Sequence, residues 1–379
     1  MLNALNFNQV DRPPLDLGST PNTTISRIAC ENLIEYLGLN EPEVVEEMRT
    51  ISRSLQVVNV PEAVLDRLGV DTRSIFVNPP EEEPEWLSET EYVDDWGVKF
   101  RAAKQGDRLL YYDMVQHPLR ELDSPDEVES YSWPSPSYPG RVEGLEEKAK
   151  KIKAETDYAL VGHPGDTSLF ERSWYMRGMD RFFMDLLKNR DIAEAIIDRV
   201  YRIRKIQMKE YLDAVGPYLD VVSVGDDLGM QSSPLISPDT YREVIKPYHR
   251  KYFKFIKNLT GAKLHMHSCG AIRPLLEDLI EVGVDVINPV QVSATGMEPA
   301  ELREEFGGRL AFWGGIDTQR LLPTGSAEEV KAGVRDTIDA FRGLDGGYVL
   351  CAVHDIQADV PPENVVAMFE AGRHYGGRV

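Results

Sequence analysis

The sequence predicts an α/β protein built as a single (β/α)8 barrel, on three observations. From about residue 155 onward, short runs rich in Val and Ile alternate with longer amphipathic stretches, which is typical of parallel βαβ units. Eight candidate strands can be found, the number that closes such a barrel. A length of 379 residues suits one barrel with insertions, so residues 1–379 are predicted to form one domain.

The predicted elements follow one another in a regular order. The candidate strands cover residues 14–18, 70–76, 158–163, 220–225, 262–268, 284–290, 309–315 and 347–353. The helical patterns cover residues 25–37, 191–212, 238–258, 272–282, 327–341 and 362–375. Residues 91–119 break this order, because two β-like runs flank Gln105-Gly106-Asp107, and they predict an antiparallel hairpin insertion. The proline-rich stretches 79–84 and 133–139 on either side are predicted to be exposed loops.

Composition excludes several classes of protein. The 63 acidic residues outnumber the 42 Lys and Arg residues and give a net charge of −21, which would repel a nucleic-acid backbone. No apolar run is long enough for a membrane helix. The first nine residues lack the pattern of a signal peptide, so a cytoplasmic location is expected. Three cysteines in so long a chain argue against a disulfide framework, and Cys30 is expected to be inert core.

Polar side chains recur where the predicted strands end, the position of active sites in barrels of this type. Three of these residues are predicted to be catalytic, although the two aspartates could equally cap a helix. Four more are predicted to bind substrate, although the stretch around the tyrosine also fits packing in the core or a lid. The catalytic candidates are Asp226, Asp227 and His354, and the substrate-binding candidates are His163, Tyr175, Gln291 and Asp317.

One segment, 263–270, ends in His267-Ser268-Cys269-Gly270 and carries the strongest chemical signal. Alternate residues of a strand share a face, so His265, His267 and Cys269 would point the same way. Cys351 lies at another predicted strand end. Two thiolates and one imidazole would leave a tetrahedral position open, as in catalytic zinc sites. The competing interpretation is a buried, apolar cysteine beside a hydrogen-bonded histidine. His265 lies deeper and is expected to be a buried neighbour.

These motifs together resemble the uroporphyrinogen decarboxylase superfamily over nearly the whole chain. The resemblance implies a (β/α)8 barrel. It also implies one of two activities, porphyrinogen decarboxylation or zinc-dependent methyl transfer from methylated corrinoid proteins. The segments that carry it are Gly162-His163-Pro164, Tyr175-Met176, Gly225-Asp226-Asp227, Phe312-Trp313-Gly314-Gly315-Ile316-Asp317, and His354 with Pro361-Pro362-Glu363-Asn364-Val365.

The two branches of the superfamily make different demands. Methyltransferases carry zinc on a His-x-Cys…Cys motif, which implies His267, Cys269 and Cys351 as the ligands of Zn²⁺ here. Decarboxylases use N-terminal arginines to hold a polyanionic substrate, and those positions fall on Ser19 and Thr23 in this chain. His354 does match the decarboxylase histidine. The methyltransferase branch is therefore favoured.

The favoured branch implies that a thiol, coenzyme M-like or homocysteine-like, or tetrahydrofolate accepts a methyl group from a corrinoid protein. The chain has no Asp-x-His-x-x-Gly corrinoid signature, so a partner protein would carry the corrinoid. The superfamily also makes a homodimer plausible. Two alternatives stay open: a metal-independent decarboxylase, whose pocket Arg12 and Arg27 could partly line, and a corrinoid-binding scaffold with a degenerate site.

Overall fold

Strands and helices alternate along most of the chain. The computed structural model describes residues 1–106, 108–343 and 345–375. The strands are β1 (Ile25–Ser26), β2 (Thr50–Ser52), β3 (Val57–Val58), β4 (Thr72–Phe76), β5 (Glu85–Ser88), β6 (Glu91–Val93), β7 (Lys99–Gln105), β8 (Arg108–Gln116), β9 (Ala159–His163), β10 (Val221–Gly225), β11 (Lys263–His267), β12 (Val286–Asn288), β13 (Ala311–Trp313) and β14 (Tyr348–Val349).

Most of the helices connect or flank these strands. The α-helices are α1 (Leu2–Leu5), α2 (Arg27–Leu37), α3 (Pro42–Glu46), α4 (Glu62–Leu68), α5 (Pro125–Ser130), α6 (Leu145–Glu155), α7 (Phe170–Arg177), α8 (Met179–Lys188), α9 (Arg190–Val215), α10 (Pro238–Thr240), α11 (Lys246–Lys257), α12 (Leu276–Val282), α13 (Pro299–Phe306), α14 (Leu321–Thr324), α15 (Ala327–Phe341) and α16 (Pro362–His374). Single 3-10 turns cover Gly216–Tyr218 and Arg273–Leu275, and a π-helical turn covers Tyr241–Ile245.

Seven of the strands form one curled parallel sheet in the order β14-β13-β12-β11-β10-β9-β4. The segment around Leu15 fills the eighth position. Leu350 donates its N–H to the Pro14 carbonyl at 2.9 Å on one side, and Asp71 donates its N–H to the Leu15 carbonyl at 2.9 Å on the other. This segment therefore joins the two edges of the sheet and closes the (β/α)8 barrel that the sequence predicts.

Small and branched side chains fill the barrel interior. Near the amino ends of the strands, Val161, Val221 and Val286 pack with Leu5, so the N-terminal helix α1 lies against this end of the barrel. The larger core lies between the sheet and the surrounding helices. Within α15, Val330, Val334 and Ile338 recur every four residues and are buried, which places one apolar stripe against the sheet.

The insertion predicted at residues 91–119 is present and is larger than predicted. Strands β5, β6, β7 and β8 form a four-stranded antiparallel sheet, with β7 and β8 as the predicted hairpin. The sequence did not reveal β5, because its four residues are all exposed and lack apolar alternation. Tyr92 and Phe100 stack at 5.0 Å between ring centroids and form the centre of its packed face. Asp107, in the predicted turn, lies outside the described residues.

The other predicted elements are found with shifted boundaries. Residues 14–18 form a single bridge at Leu15 and not a regular strand, because Pro13 and Pro14 have no N–H and Leu15 donates its own to the Asp71 side chain. The helical pattern 238–258 is divided into α10, the π-helical turn and α11. No helix in the described part of the chain is long and apolar enough to cross a membrane.

Candidate metal centre and active-site cavity

A cavity of about 1130 Å³ opens at the carboxyl ends of the barrel strands. Residues at the ends of β4, β9, β10 and β11 line its inner wall, and α7 closes one side. The outer part is bounded by residues of the α3–β2 region and of α6. The inner lining includes Asn22, Phe76, His163, Asp166, Glu171, Arg172, Tyr175, Asp227, His267 and His354.

Three side chains at the inner end of this cavity can act together as metal ligands: His267 and His354 line the cavity, and Cys269 lies against His267. The donor atoms of His267, Cys269 and His354 lie within 4.8 Å of one another. His267 is the last residue of β11, and Cys269 lies two residues beyond it. The Cys269 Sγ is 3.4 Å from His267 Nε2. His354 comes from the loop after β14, and its ring lies 5.5 Å from the His267 ring.

Hydrogen bonds orient both imidazoles toward a common point. His267 donates from Nδ1 to Asn288 Oδ1 at 2.6 Å, and Asn288 is itself fixed because its Nδ2 donates to the Trp313 carbonyl at 3.0 Å. His354 pairs through Nδ1 with the Asp355 carboxylate. Each ring therefore presents its Nε2 to the cavity, where the Asn22 amide donates to both at 3.1 and 3.3 Å. Two oriented imidazoles and one thiol form a donor set that suits zinc.

Titration of these groups depends on burial and on nearby carboxylates. Burial lowers the pKa of His267. For His354, attraction and hydrogen bonding by Asp355 outweigh burial and raise the pKa. Burial raises the pKa of the Cys269 thiol well above its usual range, and the nearby Asp227 and Glu171 raise it further. In the metal-free protein Cys269 is therefore a thiol at neutral pH.

Cys351, the third predicted ligand, is not in this group. It lies two residues beyond Val349 on the inward face of β14, in the interior apolar cluster with Trp313, and is 1% exposed. Its thiol donates to the Ala352 carbonyl at 3.1 Å. His354, three residues after Cys351, is the side chain of this segment that lines the cavity and could bind a metal. The structure thus brings together two of the three predicted ligands and adds an imidazole.

Asp226 and Asp227 have different surroundings. Asp226 is 2% exposed and accepts hydrogen bonds from the backbone N–H groups of Leu169, Phe170 and Glu171, at the start of α7. His249 also bonds to it through Nε2 at 2.9 Å. This carboxylate therefore faces a helix terminus and is not in the described cavity lining, and its predicted catalytic role stays a prediction. Asp227 does line the cavity.

Asp227 lies against the ligand group. Its Oδ1 accepts the backbone N–H of Cys269 at 2.8 Å and is 3.7 Å from His267 Nε2. Gly270, which follows Cys269, has φ +92°, and a Cβ there would lie 2.4 Å from the Gly229 carbonyl carbon. Only glycine fits this approach of two loop backbones. The glycine that ends the sequence motif therefore holds the loop after β11 against the loop after β10.

Two of the four predicted substrate-binding residues line the cavity. His163 and Tyr175 do, and burial lowers the pKa of His163 to about 4. Gln291 and Asp317 are not in the described lining, so the structure does not bring them together with the other two. Gln291 Oε1 accepts the N–H of Gly270 at 2.7 Å, and Asp317 Oδ1 accepts the N–H of Gln319 at 2.7 Å, so both side chains hold local loop structure.

His265 is the buried neighbour that the strand pattern predicts. It is fully buried below His267 and pairs through Nδ1 with Ser223 Oγ at 3.0 Å. Its ring meets the edge of Trp313 at 5.1 Å between centroids. It is absent from the described group of metal-ligating side chains. Cys30 is fully buried in α2, as expected of inert core.

Sequence reasoning missed Glu171, Asn22 and Asn288. Glu171 lies in the first turn of α7 and accepts a hydrogen bond from the Tyr175 hydroxyl one turn later. Burial, followed by the proximity of Asp227, raises its pKa well above the usual range. The Glu-x-x-x-Tyr spacing after β9 could have indicated the pair, since residues four apart share a helix face. Asn22 carries no such local signal.

A network of ion pairs joins the cavity wall to the insertion. Arg172 donates to Asp166 and, at 3.2 Å, to Asp94 of the insertion. Arg204 also donates to Asp166. The guanidinium groups of Arg172 and Arg204 lie 5.1 and 4.6 Å from the ring centroid of Trp96, which belongs to the same insertion. The insertion is therefore fixed to the side of the cavity that carries α7.

Comparison with known proteins agrees with this architecture. Residues 115–375 match the family described as Uroporphyrinogen decarboxylase (URO-D), which covers more than half of the chain. A methylated-thiol–coenzyme M methyltransferase of Methanosarcina mazei is 29% identical over 140 residues, a match spanning 37% of this chain and 34% of that relative. A solved methyltransferase from Methanosarcina mazei shares the fold, with a TM-score of 0.66 at 20% identity over 99% of this chain and 98% of that one. The chain belongs to the uroporphyrinogen decarboxylase family.

Proposed function

We propose that this protein is a zinc-dependent methyltransferase that moves a methyl group from a methylated corrinoid protein to a thiol, with tetrahydrofolate as a further possible acceptor. The observation that supports it most directly is the group formed by His267, Cys269 and His354 at the base of the cavity. The name of the Methanosarcina mazei relative, a methyltransferase of methylated thiols, supports the same activity.

The ligand set is proposed to be His267, Cys269 and His354, with the fourth position left for substrate. When bound, zinc would favour the deprotonated form of a thiol ligand and so make its sulfur nucleophilic near neutral pH. Three protein ligands and one open position are the arrangement of catalytic zinc sites. Asn288 and Asp355 would keep Nε2 of each imidazole directed at the ion, the usual role of outer hydrogen bonds to metal ligands.

The remaining cavity residues would handle the proton and the substrate. Asp227, whose Oδ1 lies 3.7 Å from His267 Nε2, is a carboxylate that could pass the thiol proton on to solvent. His163 and Tyr175 would contact the body of the substrate. The corrinoid would be presented at the cavity mouth by a partner protein, since this chain lacks the corrinoid-binding signature.

Metal analysis of variants tests the ligand set. Wild type purified without chelators should contain about one zinc per chain, and so should Cys351→Ala, which changes only a buried interior thiol. Cys269→Ala and His354→Ala should lose most of the metal, because each removes one of three protein ligands. A wild-type protein without zinc would contradict the proposed function. If Cys351→Ala loses zinc and His354→Ala keeps it, the ligands are instead the set expected from the sequence, His267, Cys269 and Cys351.

A metal-independent decarboxylase is the second candidate, and the observation in its favour is that His354 lies in the cavity. The arginines it would use are engaged elsewhere. Arg12 forms a two-pronged pair with Asp71 at 2.7 and 2.9 Å, and Arg27 donates to the Met48 carbonyl and to Thr50. Neither is in the described cavity lining. Release of CO2 from a porphyrinogen by chelator-treated protein would favour this alternative.

A further inference from the structure

The charged side chains closest to the ligand group are carboxyls. Asp227 contacts the ligand loop directly, with Oδ1 bonded to the Cys269 N–H and 3.7 Å from His267 Nε2. Glu171 lines the same inner wall and is held by the Tyr175 hydroxyl. This carboxyl pair lines the same cavity as His267 and His354, and the proposed ligand group defines where the substrate sulfur would lie. The pair therefore faces the atoms next to that sulfur.

The cations of the described lining are not available to balance a substrate anion near the sulfur. Arg172 is the one that belongs to the inner wall, and its guanidinium is already committed to Asp166 and Asp94. Turning it toward a substrate would break both ion pairs, and Asp94, whose side chain is 19% exposed, would lose its arginine, which is unfavourable. Arg49 and Lys148 are exposed and lie at the outer edge of the cavity.

From this arrangement we infer that the thiol substrate carries an ammonium group within two or three carbons of its sulfur, and that Glu171 and Asp227 bind it. The inference rests on the proposed function and narrows its acceptor. The ligand group supplies a single thiolate, so zinc with a bound substrate thiolate would be electrically neutral. Asp227, together with Asp355 behind His354, then leaves net negative charge beside it, which an ammonium offsets and a sulfonate increases. A homocysteine-like thiol fits this wall, and a coenzyme M-like thiol does not.

Three commercial two-carbon thiols test this charge preference directly. Cysteamine carries an ammonium, 2-mercaptoethanol is neutral and 2-mercaptoethanesulfonate is an anion, while the chain from the sulfur is the same. Calorimetric titration of zinc-loaded protein at pH 7 should give cysteamine the lowest Kd and the sulfonate the highest, with a ratio of at least about tenfold. Binding is measured, so no methyl donor or turnover is needed.

Variants distinguish the effect of the two carboxyls on binding from the intrinsic differences between the three thiols. Asp227→Asn should reduce the ratio of the sulfonate Kd to the cysteamine Kd by about threefold or more. Glu171→Gln, which replaces a carboxyl that would contact the ammonium, should reduce it by a smaller factor. The intrinsic acidity of each thiol is the same in every protein and cancels from this comparison. Asp239→Asn, which alters an aspartate that is 86% exposed on α10, is the matched control for net charge and should leave the ratio unchanged.

Different results would overturn the inferred ammonium group and the proposed methyl transfer to a thiol. If 2-mercaptoethanesulfonate binds zinc-loaded wild type as tightly as cysteamine or more tightly, the inferred ammonium is wrong and methyl transfer to a thiol still stands. If none of the three thiols binds zinc-loaded protein, both are overturned. The wild-type ranking decides the inference even if a variant does not fold.

Discussion

Replacing Asp226 is expected to destabilise the protein and detach α7 from the cavity wall, although its neighbour Asp227 lies closer to the proposed metal ligands. Asp226→Ala removes the acceptor of three backbone N–H groups, at 3.1, 2.9 and 2.6 Å, and of His249 Nε2 at 2.9 Å. The site is 2% exposed, so water cannot readily replace the carboxylate. Glu171 and Tyr175, both on α7, would lose their positions.

The size of the effect follows from the donors that are left unpaired. Each buried donor without a partner costs about 1–3 kcal/mol, and removal of a helix-capping side chain alone costs about 0.5–2 kcal/mol. Because partial relaxation lets some N–H groups find other acceptors, the loss in the free energy of unfolding should be about 3–5 kcal/mol for Asp226→Ala. Asp226→Asn keeps one acceptor oxygen and should lose about half as much.

Urea unfolding followed by circular dichroism measures this difference, with Asp227→Ala as the control. Asp227 accepts one backbone N–H in a partly exposed position, and its removal should cost about 1 kcal/mol. Zinc content should respond in the opposite order, because Asp227 borders the ligands and Asp226 does not. An Asp226→Ala protein as stable as Asp227→Ala would refute the assignment of Asp226 to the helix terminus.

Two further predictions concern the imidazoles. Asn288→Ala removes the acceptor that orients His267 and should weaken zinc affinity by about 10–100-fold, measured by competition with a chromophoric chelator, with His267→Ala as the limiting case. His163 has a folded-state pKa of about 4, below the unfolded value of about 6.5, so the unfolded chain binds the extra proton as the pH falls. Metal-free protein should therefore lose roughly 1 kcal/mol of stability per pH unit between about pH 6.5 and pH 4 from this group. His163→Gln should reduce the dependence of the free energy of unfolding on pH, measured by urea titrations at several pH values. An unchanged dependence would contradict the lowered pKa of His163.

The barrel could be predicted from sequence because most of its regular strands are buried runs rich in apolar residues that are followed by polar residues. Periodicity of two also identified the shared face of His267 and Cys269. Cys351, beyond the end of β14 at Val349, was predicted to reach the same site. Cys351 still follows the inward face and points into the interior, whereas His354 reaches the cavity through a loop whose path no periodicity describes. Which of these two ligand-type residues lies in the cavity therefore depends on loop geometry.

Contacts between distant parts of the chain were not predictable for a related reason. Asn22 bonds to His267 and His354, which lie 245 and 332 residues away, and nothing in its local sequence indicates this. The adjacent residues Asp226 and Asp227 posed the same difficulty, because the side chain of the first faces α7 and that of the second faces the cavity. Whether a residue belongs to a strand end was visible in the sequence. The direction of its side chain was not.

The attachment of the four-stranded insertion has a practical consequence for engineering this protein. Its inner corner, with Asp94 and Trp96, is tied to Arg172 and Arg204 beside the cavity. The far ends of β7 and β8 are largely exposed. A fluorophore or affinity tag placed near residue 105 should thus be tolerated without altering turnover. A dye on the inner corner would instead act as a reporter of any displacement of α7 when substrate enters.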